Sequence, residues 1–413
     1  MSSSGRRGMF TALRHRDFAL LWSGQAVSAF GDGIFTVALV IEVLRVDPHP
    51  TGLAYVLVAR AVPSVVLSLV GGVVVDRVPK RLAMLVSDVI RGIAVGVIAV
   101  LVARHSADLA ELVVMSVVFG SADAFFGPAS TSMVPELLPT ELLVQANALS
   151  STSSNVASSL LGPATGGAIV GFIGVAGSFT ADAVSFAVSA SCLALMTAHP
   201  PPEPKGTSML AEAREGLRFI RSRRWLVINL VAGGVANFFG IAPLAVLLSL
   251  LVRHVLHASP LALGLVFAAG GAAGVVASLV VARLGSPRHR VTVMWVAYGL
   301  AGAAIAVMAA APDAVVVGVL SAAEVGLIVY GDVLYIAMMQ ELIPAELRGR
   351  VFSAAYLIAF VLTPFGTAVG GFAAAGLGTR TAILLSGCLS GACALVIFIP
   401  GVREPERIRA DGD

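Results

Sequence analysis

Apolar runs long enough to cross a bilayer follow one another along nearly the whole of this 413-residue chain. A transmembrane helix needs about 20 consecutive, mainly apolar residues. Twelve stretches meet that need: 18–44, 52–75, 83–103, 109–134, 144–172, 176–197, 225–252, 260–283, 291–311, 314–339, 351–375 and 380–400. Hydrophobic residues make up 57% of the chain and charged residues only 12%, where soluble proteins carry about 25% charge. A solvated enzyme, a disordered chain and a secreted disulfide scaffold are thereby excluded. The three cysteines, Cys192, Cys388 and Cys393, sit inside apolar runs, so neither a disulfide framework nor a metal site is expected. The net charge of +3 does not mark a nucleic-acid binder, because the cations lie in short loops between apolar runs.

The placement of those cations orients the chain. With the N-terminus inside, cytoplasmic segments hold 21 of the 27 Lys and Arg residues, and the opposite face holds only Arg45, Arg104, Arg253 and Arg380. The remaining two, Arg60 and Arg91, fall within spans. Both termini are therefore expected in the cytoplasm. The start carries arginines but no short apolar core ending in a small-residue cleavage site, so it does not read as a signal peptide. The layout is a cytoplasmic segment (1–17), a six-span bundle (18–197), a central loop (198–224), a second six-span bundle (225–400) and a cytoplasmic tail (401–413). Within the loop, Leu210 to Ile220 mixes apolar and charged residues at helical spacing, as an interfacial helix would.

The two halves repeat. Residues 136–142 read ELLPTEL and 341–347 read ELIPAEL, five identities in seven at an offset of 205; VVVDR at 73–77 matches LVVAR at 279–283. Chance similarity between Val-rich runs explains the second match but not the first, which involves Glu and Pro in a loop. Two six-span repeats predict a carrier with a midplane site at the repeat interface.

Several motifs bear a family resemblance. Gly71-Gly72-Val73-Val74-Val75-Asp76-Arg77-Val78-Pro79-Lys80-Arg81 resembles the loop between the second and third spans of the major facilitator superfamily, with Pro79 in place of the usual Gly. Gly162-Pro163-Ala164-Thr165-Gly166-Gly167 resembles the fifth-span element of its drug:proton antiporters. The opening from Phe18 to Gln25 with Phe30-Gly31-Asp32, the run from Asp182 to Phe186, and the run from Pro344 to Arg350 are similar to the macrolide-efflux and enterobactin-exporter branch. The resemblance implies the major facilitator fold. It also implies that Asp76, Arg77, Lys80 and Arg81, with Arg348 and Arg350, hold span ends together as a gate, and that spans 1, 4, 7 and 10 line the cavity. The fourth span lacks the Arg that many proton antiporters of the superfamily carry.

Charges inside the membrane are the candidate functional residues, because a lone charge at mid-bilayer costs several kcal/mol. On the cavity spans stand Asp32, Asp123, Asn229, Asn237 and Glu324, with Asp332 lower on the tenth. At about 1.5 Å per residue, Asp32 and Arg60 lie about 18 and 12 Å from the outer ends of their spans, close enough in depth to pair. Asp123 and Glu324 have no evident cation at their depth; either can carry a proton or face a cationic substrate, with Glu324 the first choice for coupling. Asp182 reads as a packing or capping residue. Pro163 removes a backbone donor, so the fifth span should bend there. The strip Gly162, Gly166 and Gly167 is expected to meet Gly270, Gly271 and Gly274 of the eighth span. Aromatics on the cavity spans, among them Phe125, Phe126, Phe238, Phe239, Tyr330 and Tyr335, offer an adaptable apolar wall.

The sequence contains no phosphate-binding loop of the form GxxxxGK[ST], no GxSxG and no HExxH. The expectation is therefore a non-enzymatic secondary transporter of the plasma membrane. It needs no cofactor, draws on a proton gradient, is monomeric, and contacts lipid, protons and a small-molecule substrate but no nucleic acid. Export of hydrophobic or amphipathic compounds is the leading reading. A nutrient-uptake permease would favour a more polar cavity than the aliphatic seventh and tenth spans provide, and a non-transporting scaffold or sensor would need no titratable cavity groups.

Overall fold

A computed structural model describes residues 9–75, 78–197, 209–284, 287–344 and 347–406. Fifteen α-helices run in chain order through these residues, with no strand among them. Eleven continuous helical stretches are apolar and long enough to cross a membrane. The sequence leads to twelve spans. The difference lies in Gln145–Leu195, which runs as one 51-residue stretch, about 76 Å if straight and far beyond the roughly 30 Å hydrocarbon core. It cannot be straight. Space for a side chain at Gly33 is closed by Gly162 and Pro163, and at Gly31 by Asp182 and Ser185, so residues 20 positions apart touch neighbouring residues of one helix. Gly174, at φ 82° and ψ 174°, turns the chain between the two crossings; a side chain would be strained there.

The first helices are α1 (Arg16–Val46), α2 (Pro50–Val75), α3 (Lys80–Ala103), α4 (Leu109–Leu137), α5 (Leu143–Asn155) and α6 (Gly162–Leu195). Then come α7 (Met209–Ser222), α8 (Arg224–Phe239), α9 (Ile241–Leu250), α10 (Pro260–Leu284) and α11 (Arg290–Met308). The last are α12 (Ala314–Leu342), α13 (Arg348–Phe360), α14 (Thr363–Leu377) and α15 (Thr379–Ala392). They fall into two compact units. One takes the described residues up to Pro48 and from Ala59 to Thr197; the other takes His49–Val58 and the described residues from Met209 onward.

The repeat seen in the sequence is also a repeat of structure. Helices α4 and α12 each have 29 residues, and their ends correspond at the same offset of 205. Asp108 caps α4, accepting from the Glu111 amide at 2.8 Å; Asp313 caps α12, accepting from the amides of Val315 and Val316 at 2.9 and 3.0 Å. An Asp oxygen there meets amides that no helical carbonyl can reach. At the opposite ends Glu136 pairs with Lys80, and Glu341 with Arg290. Beside these pairs Leu138 and Leu142 enter the core of the first unit, packed with Phe18, Met84 and Met133. Ile343 and Leu347 do the same in the second, against Trp225, Val291 and Trp295. The duplicated Glu-Leu-x-Pro segment therefore seals one end of each unit.

The deformation expected at Gly162-Pro163 appears as a π-helical turn, Val156–Leu161, immediately ahead of the pair. A wide turn relieves the clash between a proline ring and the preceding turn. Span seven carries a break the sequence reading missed. Gly240, at φ −99° and ψ −82°, separates α8 from α9, and the residues between α13 and α14 break span eleven. Freed carbonyls need partners in a membrane. Ser386 donates to the Phe239 carbonyl at 2.5 Å and Asn237 to that of Ala359 at 3.1 Å, while Ser390 adds a second donor, at 3.1 Å, to the Ala236 carbonyl that already accepts from Gly240.

Glycine strips bring helices together inside each unit. Gly162 and Gly166 seat on Phe30, Gly33 and Ile34 of α1, and Gly270 and Gly274 on α12 at Ser321, Val325 and Val329. Each strip is thus engaged within its own unit, where the sequence reading had paired the two. In the second unit Gly302 of α11 and Gly391 of α15 leave no room for a methyl group between the helices. Gly302→Val should force α11 and α15 apart and destabilise the protein by about 1–3 kcal/mol, read as an earlier thermal unfolding midpoint in detergent.

Candidate functional site

The first unit holds a polar cluster inside its helices, built at helical spacing. On α4, Phe119, Asp123 and Phe126 share one face, being three and four residues apart; on α6, Asp182, Ser185, Phe186 and Ser189 do the same. Two guanidiniums stand among them. Arg60 lies 3.6 Å from Asp32, the pairing anticipated from depth. Gly120 lets α2 approach so closely that a side chain there would strike the Arg60 carbonyl. The Arg60 guanidinium lies over the Phe119 ring at 4.2 Å, and Phe119 stacks on Phe35 at 5.4 Å.

Arg91 overturns the expectation that Asp123 lacks a cation. Its two amino nitrogens reach Asp88 at 2.5 Å and Asp123 at 3.1 Å. Linear depth puts Arg91 nearer the cytoplasmic side than Asp123, and the length of its side chain allows it to bridge both Asp88 and Asp123. Phe126 and Phe186 flank its guanidinium at 4.3 and 4.7 Å, a cation–π arrangement that partly replaces water around the charge. Ser189 donates to Asp88 at 2.6 Å, and Ser64 reaches Asp123 at 3.5 Å. Asp182 is fully buried, and no cation pairs with it among the described residues. Four carboxyls thus share two guanidiniums. The aromatic setting was missed in the sequence, although the i, i+4, i+7 spacing on α4 was the signal for it.

The second unit contains a cavity of about 420 Å³. Its wall is mostly aliphatic and aromatic, with polar points at Asn229, Asn237, Tyr298, Asp332 and Tyr335. Asn229 is committed: it donates to the Trp225 carbonyl and accepts from Trp295, both at 2.7 Å. Tyr298 donates to Asp332 at 2.7 Å. Asn237 spends its amide donor on Ala359 and on Thr363 at 2.9 Å, leaving its Oδ1 buried without a partner, as is the Tyr335 hydroxyl. Among the described residues the free polar functions are therefore acceptors and one hydroxyl, with no cation on the wall. Glu324, the first choice for coupling, is 4% exposed on α12, about 12 Å along the helix from Asp332 and outside the cavity lining. It has neither a hydrogen bond nor an ion pair among the described residues.

The loop residues serve helix ends. Asp76 and Arg77 lie outside the described residues. Lys80 joins α3 to Glu136 and to the Ser132 carbonyl at the end of α4. Arg81 donates to the Leu193 and Ala194 carbonyls at 2.7 and 2.6 Å, closing the end of α6. Arg348 donates to the Ile343 carbonyl at 3.1 Å. Arg350 pairs with Glu215 of α7, the helix anticipated in the central loop; α7 docks through Gly216 and Ile220 onto its own unit.

Two six-span repeats, a charge cluster buried among helices and a largely apolar cavity define a multi-pass membrane carrier. The chain matches the model of the Major Facilitator Superfamily over residues 21–363 and belongs to that family, which is one of transporters and not of enzymes. It is 28% identical to the multidrug efflux pump Tap of Mycolicibacterium fortuitum, covering 94% of this chain and 95% of that protein. It is 24% identical to macrolide efflux protein A of Streptococcus pyogenes (95% and 97% covered) and 26% identical to the MFS-type transporter YfiS of Bacillus subtilis (92% of each). Among solved structures, the D-xylose–proton symporter superposes with a TM-score of 0.70 at 14% identity (93% and 97% covered). A bacterial homologue of the iron transporter ferroportin does so with 0.65 at 18% (92% and 98% covered).

Arg91 is the test of the cluster's energetics. Arg91→Leu leaves Asp88 and Asp123 without their cation and should destabilise the protein by about 3–5 kcal/mol. Adding Asp88→Leu should restore part of that loss, measured by thermal unfolding in detergent.

Proposed function

We propose that this carrier exports hydrophobic or amphipathic small molecules across the plasma membrane by alternating access, driven by proton entry. The observation that carries the reading is the charge balance of the first unit, where Asp32, Asp88, Asp123 and Asp182 stand against Arg60 and Arg91. With every carboxyl ionised the cluster would hold two uncompensated negative charges in a medium that opposes them. Bound protons remove that excess, and their gain and loss change the affinity of the site between conformers, which is what coupling requires. Glu324, buried and without a cation, is a second place for a proton.

The efflux relatives support the outward direction, and the second-unit cavity supports the substrate class. Its apolar wall suits a bulky carbon skeleton, and Asp332 with the free acceptors suits a substrate that donates hydrogen bonds or carries positive charge. The carrier works as a monomer without a cofactor, with both termini in the cytoplasm.

Cells expressing the protein should accumulate less of the cationic dye ethidium than control cells, and a protonophore should abolish the difference. Accumulation that falls on uncoupling would indicate uptake, and none of either kind would refute transport of this class. Glu324→Gln should cut proton-driven dye export at least tenfold; unchanged export removes that residue from coupling. Asp332→Asn should weaken export of ethidium several-fold more than that of an uncharged dye, compared in the same vesicles.

A further inference from the structure

We propose that Asp182 of α6 is a working proton site, which shares one proton with Asp32 of α1. This deepens the coupling reading above by naming where the first unit keeps its proton. The sequence reads Asp182 as a packing residue, and its surroundings argue otherwise. Its side chain is completely buried, and its Oδ2 has no hydrogen-bond partner among the described residues. Ser185 donates both to its backbone carbonyl at 2.8 Å and to its Oδ1 at 3.1 Å, so only one carboxyl oxygen is satisfied. A packing or capping carboxyl would have both oxygens met, or would stand beside a cation.

Of the four carboxyls, Asp182 is the one with no ion pair among the described residues. The charged groups around it are Asp32 of α1, Arg60 of α2 and Arg91 of α3. Arg60 is already paired with Asp32, and Arg91 with Asp88 of α3 and Asp123 of α4. Gly31 brings the two acids together: its missing side chain is the space that the Asp182 carboxyl and the Ser185 hydroxyl fill, one residue from Asp32. Asp32 Oδ1 also lacks a hydrogen-bond partner, although it is the oxygen that faces Arg60. Asp182, seated on Gly31, and Asp32, the next residue along α1, thus each keep one oxygen without a hydrogen bond among the described residues, and one proton held between them would serve both.

The transfer is simple to balance. The O–H bond at Asp182 Oδ2 breaks as an O–H bond forms on Asp32, leaving Asp182 ionised and Asp32 neutral. Arg60, freed from its pair with Asp32, then compensates the new carboxylate. Asp32 keeps 28% of its side chain exposed whereas Asp182 is fully buried, so exchange of the proton with the surroundings is assigned to Asp32. Separation of the two acids by relative movement of α1 and α6 would make the shared proton responsive to conformation.

Two measurements on the full-length protein test this. Infrared titration of purified protein carrying Glu324→Gln, so that Glu324 does not contribute, should show a protonated-carboxyl carbonyl band that disappears as pH rises and that Asp182→Asn removes. In proteoliposomes, Asp182→Asn should lose at least tenfold in proton-driven ethidium export yet keep dye equilibration down its own gradient, because an amide imitates a permanently protonated acid. A variant that keeps both the band and wild-type coupling overturns the proposal. If wild-type protein is uncoupled while the band is present and lost in Asp182→Asn, the proton site stands and the coupling reading falls. Should Asp182→Asn fail to fold, Asp32→Asn serves instead: it should shift the pH at which the band disappears, and an unmoved band overturns the sharing of a proton.

Discussion

Within a bilayer there is no water to solvate a carbonyl or a carboxylate, and that constraint organises this protein. Backbone breaks are allowed only where side chains meet the exposed carbonyls, as Ser386 and Asn237 do around the interruptions of spans seven and eleven. Helix ends obey the same rule: Arg81 and Arg16 take the last carbonyls of α6. Charges obey it through Arg91, whose guanidinium serves two carboxylates and rests between two phenyl rings. A fully satisfied network makes a rigid unit, so the few groups left unsatisfied stand out as the ones able to change state.

Four groups of this kind bear on function: Asp182, Glu324, Asn237 and Tyr335. They divide by chemistry. The two acids are buried without a cation, which suits a group that binds and releases a proton. The amide and the phenol line a cavity and offer unused acceptor or hydroxyl capacity, which suits a group that meets a substrate. Both kinds of site are held in place by residues already committed elsewhere, such as Asn229 locked onto Trp295 and Arg60 laid over Phe119. Positioning by committed neighbours keeps a functional group in a defined geometry while leaving its own polar atom free.

Duplication explains which contacts are structural. The N-caps Asp108 and Asp313, the pairs Lys80–Glu136 and Arg290–Glu341, and the buried Leu138 and Ile343 recur at equivalent places in both units. What recurs holds the bundle. The charge cluster of the first unit and the acceptor-lined cavity of the second do not match each other residue for residue. One ancestral scaffold thus carries two different chemistries, a division that fits a carrier handling both a proton and an organic substrate.

Length and hydropathy in the sequence were enough to determine the helical membrane fold, its spans and its repeat, because a polar backbone can enter lipid only as a closed hydrogen-bonded element. Depth along the spans also showed that Asp32 and Arg60 stand close enough in height to pair, since rise per residue converts position into height. Height does not say which way a side chain faces around its helix. For that reason the partner of Asp123, the aromatic rings around Arg91, the open oxygen of Asp182 and the separation of Glu324 from the cavity were decided only by the packing of helices distant in the chain. The merging of spans five and six was decided likewise, because a single glycine at φ 82° does the work of a loop. A one-dimensional hydropathy record specifies how deep each residue lies, and only the angular packing of the helices specifies what it touches.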